Sequence, residues 1–434
     1  MRQVGARELA FSVLLDVERE KTYSNIGLNK ALNAAAADGR DRALVTRLVY
    51  GVTERRLTLD YEYRLYLQKN SGLKPNVRTL LRMGVYEILF LDGVPARAAV
   101  NEYVSLSKRV GAGYASGMIN AVLRRTAERG LILPAVDSPE YPVVKYSVPS
   151  AILNVFENAF GDALPSFLES LFRETRFYGR INTLKTEFSA LRERLGAEGV
   201  SIAAVPDFPE MFYFSDSAAF AGTEAFRDGL FYIQDLSSAC AGILLDAKEN
   251  MRVLDVCASP GGKSFFAAVS MNGTGEVVSR DVFDHKTALI REGALRLGLD
   301  NISVQLGDAV KTPEKETFDR VICDVPCSGL GVIRKKPELR YRDISDIPEL
   351  SELQYRILCA AAQALKPGGR IVYSTCTVTA AENEEIVRRF LAEHPRFSEV
   401  RPALSCGAYG DLGVRFAPHS DNCDGFYACA MEKA

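Results

Sequence analysis

The sequence predicts an α/β protein in which a largely parallel sheet, covered on both faces by helices, is preceded by an all-α bundle and a small α/β module. Three observations predict it. Up to about residue 130 apolar positions recur at helical spacing; residues 145–230 mix helical and strand-like periods; from about residue 231 short apolar runs alternate with Gly-rich turns and amphipathic helices. At 434 residues the chain exceeds one ordinary core, and the boundaries are placed at 1–140, 141–230 and 231–434.

The elements follow in order. In ARELAFSVLLDVERE, Leu9, Ala10, Val13, Leu14 and Val17 share one helical face, and the same period recurs in RALVTRLVYGVTERRLTL, in NVRTLLRMGVYEILFL and from VNEYVSLSKRV through INAVLRRTAE. Breakers at Gly93 to Pro95 and at Gly111 to Gly113 separate the helices, and LPAVDSPEYP, with three prolines, is the exit linker. YGRINTL and VSIAAV read as strands flanking the amphipathic EFSALRERLGAEG. MRVLDV, GEVVSRDV, NISVQLGD, FDRVICDVP and GRIVYSTC are strands of the main sheet, with helices such as KTALIREGALRLG and ELQYRILCAAAQALKPG between them. GFYACAMEK follows without a further helix and is expected as an antiparallel edge strand.

Composition narrows the class. With 47% hydrophobic and 25% charged residues the chain reads as soluble and globular. No apolar run approaches the ~18 residues of a membrane span, and MRQVGARELAFSVLLDVERE carries charges at helical spacing, unlike a signal peptide. A cytoplasmic protein without a membrane partner is expected. The nine cysteines include no C-x-x-C, and the three histidines (His285, His394, His419) are far apart, so neither a zinc site nor any other metal is expected. Residues 1–140 hold 21 Lys+Arg against 15 Asp+Glu, and the remainder 32 against 40, a basic front compatible with a polyanionic partner.

The stretch VLDVCASPGGKS admits two chemistries. Read as a phosphate loop, Lys263 and Ser264 would serve a nucleotide triphosphate and its magnesium, with FDRVICD as the strand ending in an acid. Against this, Cys257 stands where the loop's first glycine belongs, and Pro260 removes a backbone donor. The second reading uses acids. Asp281 follows Asp255 by 26 residues, the Rossmann-like position for a ribose-binding acid, while G-x-G-x-x-G is absent. Asp281, Asp308 and Asp324 end the second, third and fourth strands. That pattern suits S-adenosylmethionine, with the ribose diol on Asp281, the adenine amine near Asp308 and the sulfonium on the Asp324 side. Each acid alone also fits a turn or helix cap.

Cys240, Cys323, Cys359 and Cys429 read as core thiols. Cys327, in the Gly-rich turn DVPCSGLG, and Cys376, closing GRIVYST, do not. Cys376 precedes TAAENEEIVRRFLAEH, with Thr377 or Thr379 as the expected cap, and a thiol at a helix N-terminus tends toward the thiolate. A thiolate beside a methyl donor suits cytosine C5, which becomes nucleophilic only after a thiolate adds to C6. In that scheme Cys376 attacks, Asp324 engages the N3 edge of the ring, and Cys327 assists loss of the C5 proton.

CASPGGKS, GDA, DVPCSGLG with KKPELRYR downstream, LKPGGRIVYSTCT and HSDNCDGFYA together resemble the motifs of the Sun-type RNA cytosine-5 methyltransferases. YSNIGLNKAL, RDRALVTRLVYGVTERRLTLDY and PARAAVNEYVSLSK are similar to the NusB-like RNA-binding domain of the RsmB (Sun/Fmu) family. The resemblance covers essentially the whole chain and implies methylation of a cytosine C5 in 16S ribosomal RNA, of the cytosine(967) type. It implies donor contacts from Cys257, Ala258, Ser259, Pro260, Gly261, Gly262 and Lys263 and from Asp281, Asp308 and Asp324, with Cys376 as nucleophile and Cys327 as the releasing thiol. Ser259, and Val325 in DVPCS, replace the usual alanines. Arg334, Lys335, Lys336, Arg340 and Arg342 are candidate phosphate contacts, Tyr341 a candidate stacking platform, and His419 and Asp424 further lining candidates. The target cytosine must be unpaired or flipped out. A phosphate-loop NTPase and a non-catalytic RNA-binding assembly factor are the competing classes.

Overall fold

A computed structural model describes residues 5–20, 24–35, 39–67, 72–215, 220–312 and 314–434. Met1 to Val4 of the N-terminal stretch and Tyr23 of YSNIGLNKAL lie outside them. The chain divides into two compact units. One holds the residues up to Asn154 together with Lys335–Arg342; the other holds Val155–Arg334 and Asp343–Ala434.

The first unit is helical: α1 (Ala6–Glu20), α2 (Ser24–Ala34), α3 (Gly39–Glu54), α4 (Arg56–Arg64), α5 (Pro75–Phe90), α6 (Ala96–Arg109), α7 (Ser116–Arg129) and α8 (Glu140–Tyr146). Ala10, Val13 and Leu14 of the expected α1 face are buried, and Leu9 and Val17 pack at its margin. α5 is the central helix, opened by Pro75 at its first turn and buried continuously from Thr79 to Glu87. A Cβ on Gly51 of α3 would lie 1.9 Å from the Tyr86 ring of α5, so only glycine admits this crossing. Two of the charged groups α5 buries are paired: Arg82 forks onto Asp60 at 2.6 and 2.7 Å, and Glu87 accepts from Arg7 and from the Tyr103 hydroxyl. Removing one partner of such a pair costs about 3–5 kcal/mol.

The unit boundary falls within α9 (Ser150–Phe160), which α10 (Leu164–Ser170) follows. A four-stranded antiparallel sheet comes next, built from β1 (Phe177–Ile181), β2 (Ile202–Val205), β3 (Phe208–Phe214) and β4 (Phe231–Ile233) in the order β2-β3-β1-β4, with α11 (Phe188–Ala197) and α12 (Glu224–Arg227). The two strands and the helix read from the sequence are β1, β2 and α11; β3 and β4 went unread.

After α13 (Leu236–Leu245) the larger sheet begins: β5 (Arg252–Asp255), α14 (Gly262–Ser270), β6 (Glu276–Asp281), α15 (Asp284–Leu297), β7 (Ile302–Leu306), β8 (Phe318–Asp324), α16 (Ile347–Gln363), β9 (Leu365–Thr375), α17 (Glu384–Glu393), then β10 (Phe397–Val400), β11 (Ala408–Tyr409), β12 (Val414–Phe416) and β13 (Phe426–Lys433). Its order is β11-β12-β13-β9-β8-β5-β6-β7, with β10 also on β13. β9-β8-β5-β6-β7 are parallel, and the five strands read from the sequence are these. GFYACAMEK, expected at an edge, is antiparallel but interior, lying between β9 and β10/β12. Six consecutive residues, Phe426 to Met431, are buried, which is the pattern of a strand covered on both faces. Order reverses at β5: the chain runs outward through β6 and β7, then returns to place β8 on the other side. A ligand crevice is expected beyond the carboxyl ends of β5 and β8.

Candidate functional site

The sequence-predicted acids stand in one row because the strands that carry them are neighbours. Asp324, Asp255 and Asp281 end β8, β5 and β6, and Asp308 lies just past β7, where Gly307 N donates to Asp281 O at 3.0 Å. The loop after β5 is drawn into the row. Ala258 N donates to Arg280 O at 2.7 Å, Gly261 N to Ala258 O at 2.7 Å, and the Ser259–Pro260 peptide is cis. Gly261 has φ +114°, and a Cβ there would strike the Phe265 ring at 2.3 Å, so the loop closes on glycine alone.

The phosphate-loop alternative fails on geometry. Ser264, the would-be magnesium ligand, is fully buried, donates to Asp255 Oδ2 at 2.7 Å and meets Ser279 Oγ at 2.8 Å. Lys263 Nζ is paired with Asp324 Oδ2 at 2.8 Å, while Asp324 Oδ1 accepts from Ser374 Oγ at 2.6 Å. The lysine thus ties the β5 loop to the end of β8 instead of facing a polyphosphate. Asp281 is 5% exposed and accepts from Phe283 N at 3.2 Å. Asp308 is exposed, accepts from Val310 N at 3.1 Å and caps the short turn after β7. Cys257 is half-buried, and burial raises its thiol pKa.

Cys327 and Cys376, 49 residues apart, approach to 3.1 Å between sulfurs. The hydrogen bond with Cys376, and then burial, hold the Cys327 thiol well above its ordinary range. Either sulfur can donate across this contact, and with Cys327 protonated its S–H lies within reach of the Cys376 sulfur. The expected helix N-terminus is not at Cys376. α17 starts only at Glu384 with Asn383 as its cap, and Thr379 precedes a separate 3-10 turn, so Cys376 lies outside the first turn to which the helix dipole is confined.

The sequence reading missed the residue that holds both cysteine loops, Glu382. It is fully buried; Oε1 accepts from Ser328 N (2.7 Å) and Gln354 Nε2 (3.0 Å), Oε2 from Ser328 Oγ (2.6 Å) and Thr379 Oγ1 (2.7 Å). Ser328 Oγ also meets Thr377 Oγ1 at 2.6 Å, and Gln354 donates to Pro326 O at 2.9 Å. The residues flanking each thiol are therefore bonded into one network. A second missed residue, Gln234, is 4% exposed and donates to Gly262 O at 3.1 Å.

The expected RNA contacts of the basic loop need correction. Arg334 is buried and donates to Glu174 O at 3.1 Å. Arg340 is fully buried against Glu54 O and Tyr146 O at 3.3 Å each, and the Tyr341 ring is stacked by Arg56 at 3.8 Å. These three are structural. Lys336 is exposed, and Lys335 and Arg342 are half-buried. His419 is half-buried against Phe160, and Asp424 is buried with its N–H on Asp235. Of the expected core thiols, Cys240, Cys323 and Cys429 are buried and Cys359 is half-buried.

The residues around the β5 loop fit S-adenosylmethionine. Gln234 Oε1 and Asp255 Oδ1 are buried acceptors with no donor among the described residues, and the loop's cation is already spent on Asp324. A cationic sulfonium, an ammonium group and a ribose diol call for acceptors of this kind. Among the described residues no His, Cys, Asp and Glu cluster is arranged to hold a metal, and no helix is long and apolar enough to cross a membrane.

Comparison with known proteins agrees. Residues 242–432 match the family described as 16S rRNA methyltransferase RsmB/F, and residues 5–128 match the NusB family. The probable ribosomal RNA small subunit methyltransferase B of Bacillus subtilis is 35% identical over the whole of both chains. The crystal structure of PH0851 superposes with a TM-score of 0.83 at 27% identity over 98% of each chain. NSun6 from Pyrococcus horikoshii, solved with SFG, shares the fold at TM-score 0.60 and 23% identity over 66% of this chain and 98% of its own. The chain belongs to the ribosomal RNA small subunit methyltransferase B family and takes S-adenosylmethionine as its methyl donor.

Proposed function

We propose that the protein methylates C5 of an unpaired or flipped-out cytosine in 16S ribosomal RNA through a covalent adduct between Cys376 and C6 of the base. The single observation that carries this reading is the 3.1 Å approach of Cys327 and Cys376. Cys257 to Lys263, Asp281, Asp308 and Asp324 hold S-adenosylmethionine, which supplies the methyl group. The Cys376 sulfur, as its thiolate, forms a bond to C6, and the electron pair of the C5=C6 bond moves toward C5. Asp324, braced by Lys263 and Ser374, lies at the N3 edge, and the Lys263 ammonium paired with it offsets the negative charge that builds on the ring. As C5 takes the methyl group, the donor's sulfur keeps the pair of the broken S–CH3 bond; Cys327, having given its own proton to solvent, accepts the C5 proton as its thiolate, the C5=C6 bond re-forms and the Cys376 sulfur leaves as a thiolate.

The test separates the two thiols. Cys376→Ala abolishes both methyl transfer and the denaturant-stable protein–RNA adduct. Cys327→Ala slows release by about 10²–10⁴-fold, the usual range for loss of a proton-transfer group, and accumulates the adduct. A Cys327→Ala protein that turns over at the wild-type rate without an adduct band on a denaturing gel contradicts the assignment.

A further inference from the structure

Resting on the ribosomal RNA methyltransferase reading, we propose that single-stranded RNA flanking the target nucleotide lies in a groove running from the small sheet to the segment just after Cys376. Two cavities of the second unit carry the inference. The first, of about 610 Å³, is lined by Arg173, Arg176 and Tyr213 on one side and by Pro418, His419 and Ser420 on the other. The second, of about 310 Å³, is lined by Phe160, His419, Ser420 and Arg415, with Thr377 and Val378 in its wall. His419 and Ser420 line both, so the cavities adjoin. Thr377 and Val378 directly follow Cys376 in the chain.

The lining has the chemistry a single strand needs, cations for the phosphates and flat faces for the bases. Arg173 and Arg176 are exposed. Arg176 lies over the Tyr213 ring at 4.5 Å, and with the Asn422 amide turned to suit its neighbours, the Asn422 oxygen accepts from its Nε and Nη1 at 3.1 and 3.2 Å. A braced, exposed guanidinium is a stacking plane as well as a charge. His419 sits edge-on to Phe160 at 5.6 Å, and burial lowers its pKa against the charge of Asp421 and with that of Arg173, which favours the neutral ring. Of the acids nearby, Asp421 has both oxygens committed to Gly407 N, Ala417 N and Ser420 Oγ, and Glu384 is paired with Arg415. Among the residues lining the two cavities, three arginines (Arg173, Arg176 and Arg415) stand against two carboxylates, Glu174 and Asp421.

The full-length protein carrying Arg173→Glu and Arg176→Glu is compared with wild type for binding of a fluorescent single-stranded oligocytidylate across a salt series. KM for a 16S ribosomal RNA fragment is measured alongside. The expected result is a Kd raised at least about tenfold and a log–log salt slope shallower by about 1.4, two phosphate contacts at ~0.7 each. KM for RNA rises, while calorimetry shows unaltered S-adenosylmethionine affinity. Arg173→Lys with Arg176→Lys retains the salt slope. Because Arg176 also braces Asn422, Arg173→Glu alone serves as the second variant and still makes the slope shallower, by about 0.7. Unchanged Kd and slope in both charge-reversed variants overturn the groove. Wild-type protein that binds S-adenosylmethionine yet transfers no methyl group to the RNA overturns the underlying activity instead, so the two failures are distinguishable.

Discussion

Asp255, buried at the carboxyl end of β5, gives the molecule a pH response that its surface acids do not. It is 1% exposed, and burial pushes its carboxyl up to about 7 from 3.8, against the help of the Ser264 hydroxyl. In the unfolded chain the proton leaves near 3.8, so between these values the folded state holds one proton more. The stability Asp255 contributes is therefore whole below about pH 4, declines as pH rises and levels off above about pH 7. Asp255→Asn, which cannot ionise, gains on wild type by up to about 4 kcal/mol between about pH 4 and pH 8. Urea denaturation of the two proteins at those pH values checks it, and parallel stability curves contradict it. The acids and thiols of the site were legible because each ends an apolar run or sits in a Gly-rich turn. Their supports were not. Ser374 reaches Asp324 through the β8–β9 register, and Glu382 reaches Ser328 across 54 residues, pairings that periodicity within one element does not contain.

The two cysteine loops are positioned as a pair by the turn that precedes α17. Each Glu382 oxygen takes two donors, and Ser328 and Thr379 supply three of the four. Ser328 adjoins Cys327, and Thr377, next to Cys376, shares a hydrogen bond with Ser328. Glu382 is a positioning residue: it touches neither thiol, yet its loss frees both flanks. A displacement of about 1 Å at reacting groups can cost ~10²-fold in rate. Glu382→Ala therefore lowers kcat by about 10- to 100-fold with KM for RNA and affinity for S-adenosylmethionine nearly unchanged, and Glu382→Gln, which keeps an acceptor, recovers part of it. Single-turnover methylation measures the effect, and an unaltered kcat in the alanine variant rules it out. Legibility at this scale follows burial. The parallel strands were readable from apolar runs closed by polar residues, whereas β13 was misplaced at an edge because an apolar run does not say how many neighbours cover it. The short β4 offers only three residues of pattern.

At the scale of the whole chain, the helical unit is completed by a peptide from the methyltransferase half, Lys335–Arg342. The break between α3 and α4 leaves backbone groups that neither helix can satisfy. Arg340 donates to Glu54 O at the end of α3, a helix terminus that favours a cation, and also to Tyr146 O. The Tyr341 hydroxyl donates to Glu54 O at 3.1 Å, accepts from Arg56 N at 3.1 Å and meets Ser147 Oγ at 2.8 Å, while Ser147 Oγ accepts from Leu57 N. During synthesis the front unit emerges first, but its last hydrogen bonds wait for residue 342. Tyr341→Phe tests this role against the sequence expectation of a base-stacking ring. The phenyl group retains a stacking face and loses only the hydroxyl, leaving buried backbone groups short of a partner at a cost of about 1–3 kcal/mol. Chemical denaturation of the full chain should show that loss while the Kd for single-stranded RNA stays at the wild-type value. Unchanged stability with weakened RNA binding would reverse the assignment and return Tyr341 to the RNA surface.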